Sequence, residues 1–275
     1  MPMTTVTPLT TANVRAFFDH EARNGRRLLP DAATASGFGS IVKYRQAAAL
    51  MAAPGTRAVL DVGCSVGSIE MLFHLEHPER ARDTAIQGID ISLEAIARAN
   101  ALKLPNCTFR AYDGTALPCA DDSFDLVIGV EVIEHVADKS LLIAEIRRVL
   151  RPGGRVFLTT PNPRCWALRL EQRLERVLRW CARRPVRDKD AFIELSDLAA
   201  MLSSAGLTPI GPGSQPVWPR LYVSLFGWGV LPPLTPWMLA RYQRASVAVL
   251  GRRPLRGIAG LRLGWTTSHL WEKPR

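Results

Sequence analysis

A chain of 275 residues carrying a formal net charge of +10 is long enough for one sizeable α/β core with an appended subdomain, and its charge asks for an anionic partner or surface. Its five cysteines, at 64, 107, 119, 165 and 181, are odd in number and show no C-x-x-C spacing. They argue against a disulfide framework and a zinc site, and for a reducing cytosol. Residues 1–31 lack a basic start followed by a continuous apolar run, so no signal peptide is read there.

In chain order, Thr11 to Arg27 has the apolar spacing of a short helix, with Val14, Phe17, Phe18 and Ala22 on one side. Residues 30–40, with Pro30, Gly37 and Gly39, predict a mobile loop, and Ile41 to Ala53 a second helix. A β-branched apolar run then stops at an acid, Val59-Leu60-Asp61-Val62, and Gly63-Cys64-Ser65-Val66-Gly67 opens the next helix at Ser68. Gly63 and Gly67 tolerate positive φ and carry no Cβ, so backbone there can press against a ligand, and the amides of the following helix face it. Strand, glycine turn and helix make a nucleotide-type pocket at the carboxyl edge of a parallel sheet. The glycine spacing G-x-x-x-G disfavours a dinucleotide loop. The same residues match G-x-S-x-G, the nucleophile elbow of α/β-hydrolases with Ser65 as nucleophile, but no oxyanion loop of the His-Gly-Gly kind precedes them.

The pattern of a strand ending in an acid repeats. Ala85 to Ile91 ends at Asp90, and Asn106 to Gly114 ends at Asp113. Ser123 to Glu131 follows, and after a helix comes Arg151 to Thr160. The alternation predicts strands near 57–62, 85–90, 106–112, 124–130 and 154–160, with helices near 67–78, 92–103 and 138–150. Right-handed crossovers then give a mainly parallel sheet with helices on both faces. Ser92 suits the N-cap of its helix, and Pro152-Gly153-Gly154 turns the third helix into the next strand.

Residues 55–162, with five motifs in order, resemble the class I S-adenosylmethionine-dependent methyltransferases, most closely the branch that includes small-molecule and quinone O-methyltransferases. Ser65 departs from the third glycine common in that loop. The resemblance implies an α/β fold with a Rossmann-like, mainly parallel seven-stranded sheet, S-adenosyl-L-methionine as cofactor, and helical or apolar insertions toward the C-terminus. It divides the chain into an N-terminal helical cap (1–54), a cofactor-binding core (55–162), a basic helical insertion with a late core helix (163–211) and an apolar, basic insertion with a final strand (212–275). The N-terminal helix lies over the pocket or covers a sheet edge.

On this reading Gly63, Cys64 and Gly67 let backbone approach the methionine and ribose portions, and Asp61 organises the loop or meets the amino group. Asp90 accepts from both ribose hydroxyls. Ile91 packs on the adenine beside Gly114, and Asp113 accepts from the adenine amino group. Glu131-Val132-Ile133-Glu134-His135 falls where the transferring methyl sits. His135 is the candidate base for an oxygen nucleophile, with Glu131 bordering the cofactor. Two carboxylates and an imidazole also resemble the metal cluster of some RNA-terminal 2′-O-methyltransferases, but the further histidine of that cluster is missing and no metal site is assigned. In the plainer alternative Glu134 caps the next helix and His135 packs beside it. A cofactor-binding protein without turnover is the main non-enzyme alternative.

Residues 164–184 form a basic amphipathic segment with seven arginines against Glu171 and Glu175, suited to an anionic membrane surface, to closure over the substrate, or to a solvated helix face. Ile193 to Leu207 reads as a late helix capped by Ser196 and ended by Gly206. The last 64 residues hold nine Lys or Arg against one acid and five of the seven tryptophans. Leu221 to Ala240 is uncharged, but Pro232, Pro233 and Pro236 break a spanning helix. A re-entrant or interfacial element, or a lid over an apolar substrate, is expected there. Gly264 to Lys273 returns as the last strand. The expected partners are a hydrophobic small molecule and, peripherally, an anionic membrane, which places the protein in the cytoplasm or at the inner membrane face. Nucleic acid is disfavoured, because the aromatics lie in apolar, proline-containing sequence.

Overall fold

The computed structural model describes residues 11–24, 28–30, 35–114, 116–163, 193–210 and 266–275. The basic segment 164–184 and the apolar insertion 212–260 lie outside the described residues. Seven strands form one sheet in the order β3-β2-β1-β4-β5-β7-β6. They are β1 Ala58–Val62, β2 Ala85–Asp90, β3 Cys107–Ala111, β4 Phe124–Val130, β5 Leu150–Pro161, β6 Thr208–Pro209 and β7 Thr266–Glu272. Strands β1 to β5 pair in parallel, and β7 runs antiparallel between β5 and β6. The fold is the expected mainly parallel, Rossmann-like sheet.

Helices cover both faces: α1 Thr11–Arg23, α2 Ala35–Met51, α3 Ser68–Glu76, α4 Pro78–Arg82, α5 Leu93–Ala101, α6 Lys139–Val149 and α7 Leu195–Ser204. Period-two alternation along β1 sorts the core. Leu60 and Val62 join Leu142, Ile143, Ile146, Leu198 and Leu202 on the α6–α7 face, while Val59 joins Ala47, Met51, Ile69 and Phe73 on the α2–α3 face. Asp61 shares the parity of Val59, so its side chain is directed at α3.

Local signals explain most boundaries. The Ser92 hydroxyl accepts the Ala95 N–H at 3.1 Å and starts α5 as an N-cap. Gly206, at φ 78°, ends α7, and the Leu207 N–H closes the turn on the Leu202 carbonyl at 3.1 Å. Three expectations are corrected. The loop read over 30–40 gives way to α2 at Ala35: Gly37 falls in its first turn, where the amides lack intrahelical partners in any helix, and Gly39 follows just inside the next turn. Ser196 is not a cap: α7 begins at Leu195 behind Glu194 without a side-chain capping bond, and the Ser196 hydroxyl meets Asp197 instead. Residues Pro152 to Gly154 do not lie between helix and strand. The helix ends at Val149 and β5 starts at Leu150, so the glycines sit inside a long strand whose register shifts between Phe124 and Leu126.

Candidate active site at the carboxyl edge of the sheet

In open α/β sheets the ligand crevice opens where the strand order reverses. Here that point lies between β1 and β4, and a cavity of about 370 Å³ occupies it. Gly63 and Ser65 (after β1), Asp90 and Ile91 (end of β2) and Tyr112 and Gly114 (after β3) line it from one side. Val130, Glu131, Val132 and His135 come from β4 and the turn beyond, and Val14 and Phe18 from α1. Ser40, Lys43 and Tyr44 of α2 complete that wall, and Val136, Asp138 and Leu141 join the lining beyond His135.

The loop after β1 is built on left-handed backbone: Gly63 at φ 77°, Ser65 at 52° and Gly67 at 79°. The Gly63 and Cys64 N–H groups both donate to the Ile89 carbonyl, at 2.7 and 3.1 Å. A Cβ on Gly63 would lie 2.3 Å from Val132 Cγ2, so glycine there is what lets β1 and β4 meet at the floor of the cavity. Ser65 takes a conformation that costs a side-chain-bearing residue about 1–2 kcal/mol. Ser65→Gly is therefore expected to stabilise the protein by about 0.5–1 kcal/mol after the extra chain entropy of glycine, read as a melting point higher by roughly 1–3 °C. A lower melting point would show that the serine side chain holds the loop together.

Asp90, 8% exposed, ties that loop to the next one. Its Oδ2 accepts the Ser65 N–H and its Oδ1 the Ser92 N–H, both at 2.8 Å. Asp61 does not share in this work. It is 1% exposed, contributes nothing to the cavity lining and faces Glu70 of α3. Cys64 is likewise buried and raised well above the usual thiol range, by burial first and then by the charges of Glu70, Asp61 and Asp90, so it stays a thiol. Gly67 lies under α5, where a Cβ would meet Leu102 at 2.9 Å. Asp113 is exposed beside the cavity rather than in its wall.

The five residues from Glu131 separate. Glu131 (φ 57°) is a second strained residue at the cavity. Its Oε1 accepts the Thr159 hydroxyl at 3.2 Å and its Oε2 pairs with Lys43 Nζ at 3.3 Å. Glu134 is buried in a short 3₁₀ turn, Ile133–His135, and does not line the cavity. The capping expected of it falls to Asp138, whose carboxylate accepts the Leu141 N–H at 2.9 Å. His135 does reach the cavity, with its ring edge-on to Phe18 at 5.2 Å between centroids. Among the described residues no three His, Cys, Asp or Glu side chains gather as a metal site.

Helix α1 lies over the pocket. Arg15 donates to the Ile91 and Tyr112 carbonyls at 3.0 and 3.4 Å, and Asp19 Oδ1 accepts from the Ser92 hydroxyl at 2.5 Å. Burial, aided by Asp90 and Asp113, pushes the Tyr112 phenol up to about 12, so it enters the wall as a neutral donor. Sequence names Phe18 only as part of the apolar side of α1, and it does not point to Lys43 or Tyr44. Lys43, 9% exposed in a helix that packs on the core, carries a signal, since a buried lysine needs an acid partner.

A glycine loop, a strand-end acid holding it, and a cavity at the switch point define a class I S-adenosylmethionine-dependent methyltransferase fold. The model of the methyltransferase-domain family matches residues 27–210, and the chain belongs to that family. A 27-O-demethylrifamycin SV methyltransferase of Amycolatopsis mediterranei (strain S699) is 33% identical over 178 residues, 59% of this chain and 60% of that protein. A ubiquinone biosynthesis O-methyltransferase of Chelativorans sp. (strain BNC1) is 34% identical over 153 residues, 54% of this chain and 58% of that protein. The match thus spans about three fifths of those relatives. Among solved structures, the [4+2]-cyclase SpnF superposes with a TM-score of 0.59 at 17% identity, covering 100% of this chain and 99% of that one. An S-adenosylmethionine-dependent methyltransferase from Mesorhizobium loti gives 0.53 at 19% identity, covering 84% and 97%. These likenesses establish the fold, and a cyclase among them shows why the reaction must be argued from the site. Family and position after β1 set aside the nucleophile-elbow reading of Ser65.

The cavity fits S-adenosylmethionine on its own terms. Its volume lies in the range of small-molecule sites, Gly63 leaves space that a Cβ would fill, and Asp90 stands at its wall with both oxygens oriented by backbone amides.

Proposed function

We propose that this protein methylates an oxygen of a hydrophobic small molecule, with S-adenosylmethionine as donor. The observation that carries this reading is one continuous cavity with two chemistries. Its lining joins Gly63, Asp90 and Ile91, which offer backbone and an acid, to the apolar side chains Phe18, Val132, Val136 and Leu141, with the imidazole of His135 among them. Two relatives, a 27-O-demethylrifamycin SV methyltransferase and a ubiquinone biosynthesis O-methyltransferase, support a hydroxylated, hydrophobic acceptor.

When bound, the cofactor supplies a methyl group on a sulfonium, open to in-line attack. The chain supplies placement and exclusion of water. Asp90 accepts the ribose hydroxyls, and Ile91 packs on the adenine beside Gly114. Gly63 and Ser65 shape the backbone against the methionine portion, with Cys64 and Gly67 holding the loop from behind. Lys43 and Glu131, already a pair, match the two ends of an amino-acid zwitterion. His135 takes the hydroxyl proton of the acceptor as its oxygen attacks, and Phe18 of α1 closes over that ring. The acceptor arrives from an anionic membrane surface through residues 164–184 and 212–260, with the protein peripheral at the cytoplasmic face. Composition is what supports that placement: seven arginines in the first segment, and a charge surplus with five tryptophans in the last 64 residues.

The test is a calorimetric titration with S-adenosylhomocysteine, followed by a methyl-transfer assay on hydroxylated quinones and phenols. Binding in the micromolar range and a labelled, alkali-stable methyl ether are expected. Absence of binding by folded protein sinks the reading. His135→Gln is expected to slow transfer by about 10²–10⁴ while shifting S-adenosylhomocysteine affinity less than about threefold. A variant that turns over at the wild-type rate removes His135 as the base.

A further inference from the structure

Directly behind the glycine loop, two carboxyl groups face one another with no cationic side chain between them. Strand parity aims Asp61 at α3, and Glu70 sits in the first turn of that helix on its inner side. They are 1% and 0% exposed, and all four carboxylate oxygens are buried without a hydrogen-bond partner. Two ionised carboxylates offer only acceptors, and like charges at contact in a dry site cannot both persist. One proton between them converts the clash into a strong O–H···O⁻ bond.

Apart from the Glu70 backbone N–H at the start of α3, which lowers Glu70 but does not outweigh its burial, the surroundings offer no donor to the pair. From β2, the loop and β3 come Asp90 and the Cys64 and Cys107 thiols, each of which meets the pair's charge as repulsion. On α3 itself His74 sets its ring nitrogens against the Glu70 and Pro105 carbonyls, at 2.8 and 3.0 Å. The cations of the neighbouring helices are engaged elsewhere: Lys43 with Glu131, Arg45 with Glu76, Arg82 with Glu79, and Arg80 on the Ala53 and Thr56 carbonyls. Burial pushes both acids up, Asp61 well above its usual range and Glu70 to about 7.

We propose that Asp61 and Glu70 hold a single shared proton, and that Glu70 is a positioning residue which, through Asp61, makes ligand binding at the glycine loop proton-linked. The inference rests on the cofactor reading of the cavity. A ligand that brings positive charge to Gly63 lowers the pair's affinity for its proton, so binding releases it. The donor carries a sulfonium and an ammonium against one carboxylate, whereas its demethylated product is neutral overall. Release is therefore larger with the donor.

The experiment is calorimetry of the full chain with S-adenosylmethionine and with S-adenosylhomocysteine near pH 7, in buffers of different ionisation enthalpy. Wild type is expected to release a measurable fraction of one proton, more with the donor, and to bind up to about tenfold more tightly per pH unit through the pair's titration. In Glu70→Gln the amide donates permanently to Asp61, and release should fall to near zero. Binding by wild type with identical proton counts in both proteins overturns the proposal and leaves the cofactor reading standing. Failure of wild type to bind overturns the cofactor reading, and the pair is then judged in the free protein. Acids with raised folded-state values stabilise below their unfolded range, near 4.5 for Glu70, and lose that contribution as pH rises through about 7. Glu70→Gln should thus gain on wild type by at least about 3 °C in melting temperature between pH 5 and pH 8. A constant difference overturns the shared proton.

Discussion

Gly63→Ala should cost more than about a hundredfold in S-adenosylhomocysteine affinity, equivalent to ~2.7 kcal/mol, together with a loss of fold stability. Two effects act at once. Gly63 lies at φ 77°, which costs an L-residue about 1–2 kcal/mol. The new Cβ would also lie 2.3 Å from Val132 Cγ2, far inside van der Waals contact, and overpacking of this kind costs about 1–3 kcal/mol. Val132 is a branched side chain on the turn after β4 and itself lines the cavity. It yields only by moving into the space meant for ligand. Thermal melting and titration together check this. A variant that melts lower yet binds normally would mean that the strain relaxes away from the cavity.

Gly67→Ala is a useful contrast within the same loop. Its Cβ would meet Leu102 Cδ1 at 2.9 Å, the far end of a flexible side chain beneath α5 rather than a wall of the cavity. Distance from the ligand separates the two glycines, although both are left-handed and lie four residues apart.

This part of the site was legible in the sequence because its signals are local. A β-branched run, an acid and two glycines fix β1, its turn and α3 within ten residues, and the repeated strand-end acids place Asp90 about one crossover later. The end of β2 holds that loop, Asp90 through the Ser65 N–H and the Ile89 carbonyl through the Gly63 and Cys64 N–H groups. What sequence did not show depends on distant partners. Lys43 meets Glu131 from a helix that precedes the first strand, and Phe18 meets His135 across more than a hundred residues. No periodicity encodes either contact. Asp61 was read as a loop organiser, yet its strand parity already aimed it at α3. Glu70, an acid beside Ile69 and close to Leu72 and Phe73, was the signal for its partner. The helix start at Ala35 was hidden by glycines that ordinarily mark loops.

The second large effect is expected at Asp90. Its two oxygens each receive one backbone N–H at 2.8 Å, from Ser65 on the glycine loop and from Ser92 at the start of α5. Alanine removes both acceptors in a buried position, and each orphaned amide costs about 1–3 kcal/mol. Asp90→Ala should therefore be destabilised by roughly 2–4 kcal/mol, seen as a melting point lower by about 5–15 °C. Binding falls further than melting alone implies. Hydrogen bonds to a charged acceptor contribute about 1.5–3 kcal/mol each, and two ribose hydroxyls lose theirs, so affinity for S-adenosylhomocysteine should drop by at least about a hundredfold. Asparagine tests which part matters. It keeps one acceptor but turns an NH₂ toward an N–H donor, so the loop still loses a tether while the side-chain volume stays. If Asp90→Asn melts near wild type and binds as weakly as alanine, the acid acts mainly on ligand. If both variants melt low and bind poorly in proportion, Asp90 acts mainly by holding Ser65 and Ser92 together. Either pattern requires a weakened site, and a variant that binds as wild type would remove Asp90 from it.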